Sequence, residues 1–307
     1  MSRAWFRQKE RGSPRALRLI LWVALRLGRP SARLLLYPIT AYFLLLAPEP
    51  RRHSRAYLRR VLGREPGIRH LARHFHTFAA VILDRVYLLA GRQDRLDIRI
   101  HHGEIFERHL GKGAILLGSH LGSFEALRAL AVDSHDFPVK VLMYSDHNQA
   151  ITRLLEALNP KVAASVIPLG RVDTLLRVSE ALEAGEMVGT LGDRVAQSDK
   201  LTTCRFLGGE AQFPLGPLLL ASVLKVPVIL CFGLYRGGKR YDIVFESFAE
   251  RIDAPRAHRE AALAQWVQRY ADRLEARVRE APYNWFNFYD FWEQTLPAQP
   301  ADIRAPS

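Results

Sequence analysis

The stretch Gly113-Ala-Ile-Leu-Leu-Gly-Ser-His-Leu-Gly-Ser-Phe-Glu-Ala-Leu-Arg128 combines a short apolar run, a glycine- and serine-rich turn and an amphipathic segment. The run at 114–117 has the length and composition of a buried strand, and the segment at 123–132 has helical spacing. His120 is therefore predicted to lie in the turn at the carboxyl end of a strand. In open α/β sheets this edge is where ligands bind.

The spacing between His120 and Glu125 limits the backbone geometry in which the two side chains can meet. On one continuous helix, residues five apart diverge by roughly 140° and do not face each other. They meet only if the histidine precedes the helix and the carboxylate reaches back from its first turn. A carboxylate bonded to one ring nitrogen leaves the other as a general base, so the pattern predicts a His120–Glu125 catalytic dyad.

Two other interpretations fit the same residues. Glu125 could simply complement the helix dipole while a neighbouring serine caps the helix. A serine hydrolase would place its nucleophile at the apex of a G-x-S-x-G turn, but here the apex holds histidine. This favours a base acting on an acceptor hydroxyl, with hydrolysis as the alternative chemistry of the same dyad.

The remaining pattern predicts an α/β fold with a mainly parallel sheet flanked by helices, because strands alternate with helices. Residues 1–100 are predicted to form a basic, apolar, helical membrane-associating region, and residues 101–307 an α/β domain. Strands are expected at 98–101, 114–117, 139–143, 165–168, 187–191, 228–232 and 241–245. Helices are expected at 123–132, 148–158, 172–184, 216–224 and 251–279.

The charge is concentrated in the first third of the chain. The formal net charge is +13 over 307 residues. Residues 1–100 contain 21 Lys and Arg against 6 Asp and Glu, whereas the rest carries a net charge of −2. A basic segment beside apolar runs indicates an anionic membrane surface or an acidic protein partner. No zinc-finger or RNA-binding motif accompanies it, so no nucleic-acid partner is predicted.

The apolar runs at 16–27 and 34–47 are each shorter than the roughly 20 residues of a simple membrane span. No small-x-small cleavage pattern follows them, which disfavours a signal peptide. A buried helical hairpin is one alternative. We favour membrane attachment, with helices lying in or dipping into the interface and arginines at headgroup level.

Two features that could suggest metal or redox chemistry are interpreted otherwise. His70 and His74 lie four residues apart, but flanking arginines disfavour a cation, so we expect a packed helix face and no metal or cofactor. Cys204 and Cys231 form no CxxC pair and fit a reducing compartment.

The chain resembles the lysophospholipid acyltransferase superfamily, in particular the branch of bacterial lipid A late acyltransferases. Its HxxxxE block matches, with Gly122 and Phe124 between the two catalytic residues. Gly192-Asp193-Arg194 follows a predicted strand, where the family has an acidic residue. The stretch 206–217 is close to the family's FFG-x-x-A-x-x-P-x-G-P, and an aromatic segment at 282–292 closes the match.

The resemblance implies roles for these residues. His120 and Glu125 would be catalytic, and Gly122, Phe124 and Asp193 would belong to the substrate site. Arg194 stands where many members have glutamine, and could be an oxyanion donor, a phosphate contact or a salt-bridge partner of Asp193. Arg171, after the predicted strand at 165–168, is a candidate phosphate ligand or a solvated residue near a helix N-terminus.

The resemblance also implies an acyl donor and an acceptor. The expected activity is transfer of a fatty acyl chain from acyl carrier protein to a hydroxyl of a lipid or glycolipid such as lipid A, at the cytoplasmic face of the inner membrane. The opening Trp5-x-x-Gln-Lys-Glu-Arg-Gly-Ser13 suggests an aryl polyene or specialised lipid pathway instead. An acyl-CoA lysophospholipid acyltransferase and a non-catalytic membrane-bound module that docks acyl carrier protein remain alternatives.

Overall fold

The computed structural model describes residues 14–126, 139–144, 164–195 and 200–292. Its first part is a layer of four helices. They are α1 (Pro14–Leu34), α2 (Leu36–Leu46), α3 (Pro48–Leu62) and α4 (Ile68–Leu89). Helix α1 is broken at Gly28, whose φ of 83° is left-handed and leaves the helical region.

The rest of the described chain is built on strands with helices between them. The elements are β1 (Asp97–His101), α5 (Gly103–Glu107), β2 (Ala114–Gly118), β3 (Val139–Tyr144), β4 (Val166–Leu169), α6 (Thr174–Glu183), β5 (Met187–Leu191), β6 (Leu201–Phe206), β7 (Gly209–Pro214), α7 (Gly216–Leu224), β8 (Val228–Gly237), β9 (Arg240–Ala249) and α8 (Arg259–Glu280).

Seven strands form one sheet in the order β1-β9-β8-β2-β5-β3-β4. All neighbours run parallel except the antiparallel pair β8–β9. The strands β1 and β9 therefore point opposite to the other five. The predicted α/β class with a mainly parallel sheet is confirmed, and the carboxyl ends of β2 and β5 lie side by side at one edge.

Two details differ from the sequence prediction. The hairpin β6–β7 was not predicted, although buried Cys204, Phe206, Ala211 and Phe213 alternate with polar residues along its two strands. Helix α8 begins at Arg259 rather than at residue 251, since Pro255 precedes a short 3₁₀ turn at Arg256–His258. The helix expected at 148–158 lies outside the described residues.

The helical layer shares its core with the sheet. Tyr57 and Leu58 of α3 and Leu71 of α4 belong to one buried cluster with β2, β8 and α8. On the other side, Arg29 of α1 forms an ion pair of 2.7 Å with the buried Asp84 of α4. Across the described part of the chain, no helix has both the length and the hydropathy needed to cross a bilayer.

Candidate active site

The carboxyl ends of β2 and β5 are joined by hydrogen bonds to one carbonyl. The backbone oxygen of Gly118 accepts from the Gly192 amide at 3.0 Å and from the Tyr270 hydroxyl at 2.7 Å. Because these contacts keep the two strand ends in register, the residues that follow each strand face each other. His120 follows β2 and Asp193 follows β5.

His120 and Asp193 form the central pair of the site. The ring Nδ1 lies 2.8 Å from Asp193 Oδ1, and the backbone amide of His120 donates to both carboxylate oxygens at 3.1 and 3.0 Å. A carboxylate only accepts, so Nδ1 carries the proton and Nε2 is the unprotonated nitrogen. The His120 side chain is 29% exposed and the Asp193 side chain is fully buried.

Asp193 is held in its ionised form by its donors. Burial alone raises the pKa of Asp193, but the charges of His120 and Arg194 and the hydrogen bonds from His120 and Trp285 lower this pKa to about 2. The indole Nε1–H of Trp285 donates to Asp193 Oδ2 at 2.9 Å. A buried carboxylate with this many N–H donors is a fixed negative charge behind the imidazole.

Glu125 does not occupy the position that the spacing predicted for it. The Nδ1 partner of His120 is Asp193, while Glu125 Oε1 pairs with Arg85 of α4 at 2.9 Å. Glu125 still lies close enough for its charge to raise the pKa of His120. The glutamate therefore adds negative potential near the ring, and the aspartate makes the hydrogen bond.

Gly122 shapes the turn that carries the histidine. Its φ is +70°, its amide donates to Asn284 O at 2.8 Å, and it bridges to Gly233 of β8. A Cβ at Gly122 would lie 1.9 Å from the Gly233 carbonyl oxygen. Only glycine fits both the left-handed backbone and this close approach.

Phe124 packs over the strands on which the site is built. Its ring lies against Gly118 of β2 and Gly189 of β5, where an added Cβ would meet ring carbons at 3.1 and 2.6 Å. The two glycines thus provide the space for the phenyl ring. Phe124 is half-buried next to the site.

The two arginines predicted at the site are placed very differently. Arg194 is close to His120: it donates to Phe286 O at 3.0 Å and stacks on Tyr289. Arg171 follows β4, three strands from β2, which is about 14 Å at the usual strand spacing. Its side chain is 67% exposed and pairs with Asp173. The structure brings Asp193 and Arg194 to His120 but not Arg171.

Sequence reasoning missed Trp285 and Arg85 as parts of the site. The aromatic segment at 282–292 belongs to the family resemblance, but nothing in its spacing shows which ring reaches Asp193. Leu121 and Trp285 form a β-bridge, and Phe286 N donates to His120 O at 3.3 Å. The segment after α8 is thereby attached to the turn that carries His120.

The arrangement fits proton abstraction by a neutral imidazole. Burial and the positive charge of Arg194 lower the pKa of His120, while Asp193 and Glu125 oppose that shift. His120 is therefore unprotonated at neutral pH, and Asp193 stabilises the imidazolium that forms when Nε2 takes a proton.

The pH dependence of kcat/KM should report the lowered pKa of His120. Protonated His120 cannot act as a base, so activity is present above its pKa and lost as the pH falls through it. We expect the acid limb of kcat/KM to have its midpoint below 6.5, the ordinary value for histidine. In Arg194→Gln, which removes the charge that lowers this pKa, the midpoint should move upward. A wild-type midpoint at or above 6.5 would contradict this account.

The chain matches a protein-family model over most of its length. Residues 12–294 match the family model described as bacterial lipid A biosynthesis acyltransferase. This span contains the whole of the helical layer and sheet described above, including His120, Asp193 and Trp285. No curated protein matches the chain.

Proposed function

The chain belongs to the bacterial lipid A biosynthesis acyltransferase family and is an acyltransferase, and we propose that it moves a fatty acyl chain from acyl carrier protein to a hydroxyl of a lipid A-like lipid or glycolipid. His120 is the general base of this proposal. The observation that supports it most is the 2.8 Å contact between His120 Nδ1 and buried Asp193, which leaves Nε2 unprotonated.

The proposed reaction proceeds without an acyl-enzyme. Nε2 of His120 takes the proton of the acceptor hydroxyl as its oxygen attacks the thioester carbonyl carbon. The tetrahedral intermediate collapses, the C–S bond breaks, and the imidazolium returns the proton to the thiolate. Neither Ser119 nor Ser123 is a hydrogen-bond partner of His120 in the described contacts, so a serine nucleophile has no support here.

The oxyanion of the intermediate needs a positive donor. Several amides of the catalytic turn are already used: His120 N donates to Asp193, Gly122 N to Asn284 O, and Ser123 N to Gly233 O. These contacts disfavour the turn as an oxyanion hole. We therefore assign this electrostatic role to Arg194, whose charge already reaches the imidazole.

Glu125 keeps a catalytic role in the proposal, but an electrostatic one. Its carboxylate raises the pKa of His120 and so favours the imidazolium that forms during the reaction. The ion pair with Arg85 holds the carboxylate in place from the helical layer. Asp193 instead sets the tautomer and orientation of the ring.

Acyl carrier protein as donor is supported by charge. It is an acidic protein, and α3 exposes several arginines to solvent, among them Arg52 and Arg55. Charge complementarity of this kind accelerates encounter and weakens with salt. We therefore expect a higher kcat/KM with acyl carrier protein than with acyl-CoA at low ionic strength.

Attachment to the cytoplasmic face of the inner membrane is supported by an exposed apolar surface. We call it the N-terminal apolar face. Its members are large hydrophobic side chains of α1 and α2 with exposed fractions of 44% or more: Trp22, Leu27, Leu34, Tyr37, Tyr42, Leu45 and Leu46. Exposed apolar side chains on consecutive helices of an arginine-rich segment fit helices lying in a lipid interface.

The proposed activity is tested with purified full-length protein and defined substrates. Lauroyl- and myristoyl-acyl carrier protein serve as donors and are compared with the matching acyl-CoA. A lipid A-type glycolipid and a lysophospholipid serve as acceptors, and mass spectrometry detects the ester. Transfer to the glycolipid from acyl carrier protein is the expected result. Thioester hydrolysis without any acylated acceptor would refute the proposal.

Membrane attachment is tested by flotation with anionic vesicles. Because apolar burial does not depend on salt, we expect the wild type to stay bound in high salt. Replacing both Leu45 and Leu46 with aspartate should lower the bound fraction at least tenfold, since burying each leucine contributes roughly 1.5–3 kcal/mol. Ile100→Asp, a change of an exposed residue on β1, is the matched control and should bind normally. Full release by salt would mean attachment by charge alone.

A further inference from the structure

We propose that His74 of α4 is a positioning residue for the catalytic aspartate, acting through Trp285. The inference rests on the proposed function, because it assigns a task to a residue outside the reacting atoms. It also gives the helical layer a direct part in the active site. Hydrogen bonds link Ser54 to His120 through His74, Trp285 and Asp193.

His74 is fully buried between α3, α4 and the segment after α8. Its Nε2 lies 3.0 Å from the carbonyl oxygen of Trp285, and its Nδ1 lies 2.8 Å from the hydroxyl of Ser54. A carbonyl only accepts, so Nε2–H donates to Trp285 and Nδ1 accepts from Ser54. Both ring nitrogens are thereby engaged, which fixes the orientation of the ring.

Trp285 connects His74 to the site, because its backbone contacts His74 and its side chain contacts Asp193. His74 donates to the backbone carbonyl of Trp285, and the indole N–H of Trp285 donates to Asp193 Oδ2 at 2.9 Å. The direction of the indole depends on where this backbone lies. A shift of the Trp285 carbonyl would therefore move the donor away from Asp193, and Asp193 sets the orientation of His120.

Packing makes this linkage stiff. The ring of Tyr57 meets the Trp285 ring edge-on with centroids 5.1 Å apart, and the Tyr57 hydroxyl donates to Pro282 O at 2.7 Å. The His74 ring stacks on Phe288 at 4.7 Å. Residues on both sides of Trp285 are thus fastened to α3 and α4, so the position of Trp285 depends on the helical layer.

The ionisation state of His74 agrees with these bonds. Burial lowers the pKa of His74 to about 4, against a smaller opposing effect of its bond to Trp285. The ring is therefore neutral at physiological pH, as a single N–H donor and a single acceptor require. Its contribution is geometric, and it carries no proton in the reaction.

The test compares three variants in the transfer assay. His74→Leu removes the donor to Trp285 and should lower kcat about 10–100-fold with little change in KM, since displacements near 1 Å cost up to about 10²-fold. His74→Gln keeps an amide N–H near the Nε2 position and should restore most of the rate. His109→Leu is the matched control: this histidine is also buried but contacts Ile105 O and Glu250. It should leave kcat unchanged.

A double variant tests whether His74 acts through Trp285. Trp285→Phe removes the indole donor, so adding His74→Leu to it should cause no further loss if His74 acts through this tryptophan. Losses that multiply, or a failure of His74→Gln to restore kcat, would overturn the inference. If His74→Leu does not fold, Ser54→Ala replaces it, and a lowered kcat at unchanged KM is the expected result.

The His120→Ala and His74→Leu variants distinguish a failure of this inference from a failure of the proposed function. An active His120→Ala would refute the proposed general base. An inactive His120→Ala together with a fully active His74→Leu would refute only the positioning role of His74.

Discussion

Replacing His120 with alanine is expected to lower acyl transfer by about 10³-fold or more, while the protein keeps its fold and its membrane attachment. General-base catalysis contributes roughly 10²–10⁴-fold, and His120 is the base of the proposed mechanism. The loss should appear in kcat, because the side chain acts on the proton that moves in the transition state. Steady-state kinetics with acyl carrier protein and a glycolipid acceptor measure it.

His101→Ala provides the matched control. His101 ends β1, which runs opposite to β2, so it lies at the other edge of the sheet. Its side chain is 45% exposed and contacts Asp242. This variant should retain wild-type kcat. An active His120→Ala with the wild-type pH profile would end the general-base mechanism.

The second large effect is expected for Asp193→Asn, with a loss of about 10²–10⁴-fold in kcat. The carboxylate accepts from the ring N–H and the amide of His120 and from the indole of Trp285. An amide group would present its own N–H to one of these donors and would carry no charge to stabilise the imidazolium. Because Asp193 raises the pKa of His120, the acid limb of the pH profile should also move downward.

Two further variants show whether this effect is specific. Asp242→Asn changes another buried aspartate, which pairs with Arg236 and Arg240 away from the site, and should cost stability but not kcat. Glu125→Gln removes charge but leaves the His120–Asp193 bond in place, so its loss should be smaller than that of Asp193→Asn. If the glutamate variant is the more damaged of the two, the orienting carboxylate has been assigned to the wrong residue.

The position of His120 could be predicted because the evidence for it is local. An apolar run of strand length, a glycine turn and an amphipathic segment place His120 at a strand end regardless of the rest of the fold. The same reasoning gave the mainly parallel sheet, because strands and helices alternate along the chain. Asp193 and Arg194 were placed at the same edge since they follow another parallel strand.

The identity of the hydrogen-bonded carboxylate could not be predicted from spacing. Glu125 is five residues from His120 and Asp193 is 73 away, so sequence proximity favoured the glutamate. In the structure His120 Nδ1 bonds to Asp193 because β5 lies directly beside β2. Arg85 of α4 then balances the charge of Glu125.

The amino-acid sequence thus determined the fold class, the family and the position of His120 at a strand end, since each depends on short stretches of the chain. Only the tertiary structure decided which carboxylate orients that residue and how Trp285 and His74 hold it. The physical reason is that hydrogen bonds between distant segments depend on strand order and helix packing. Neither strand order nor helix packing leaves a periodic pattern in the amino-acid sequence.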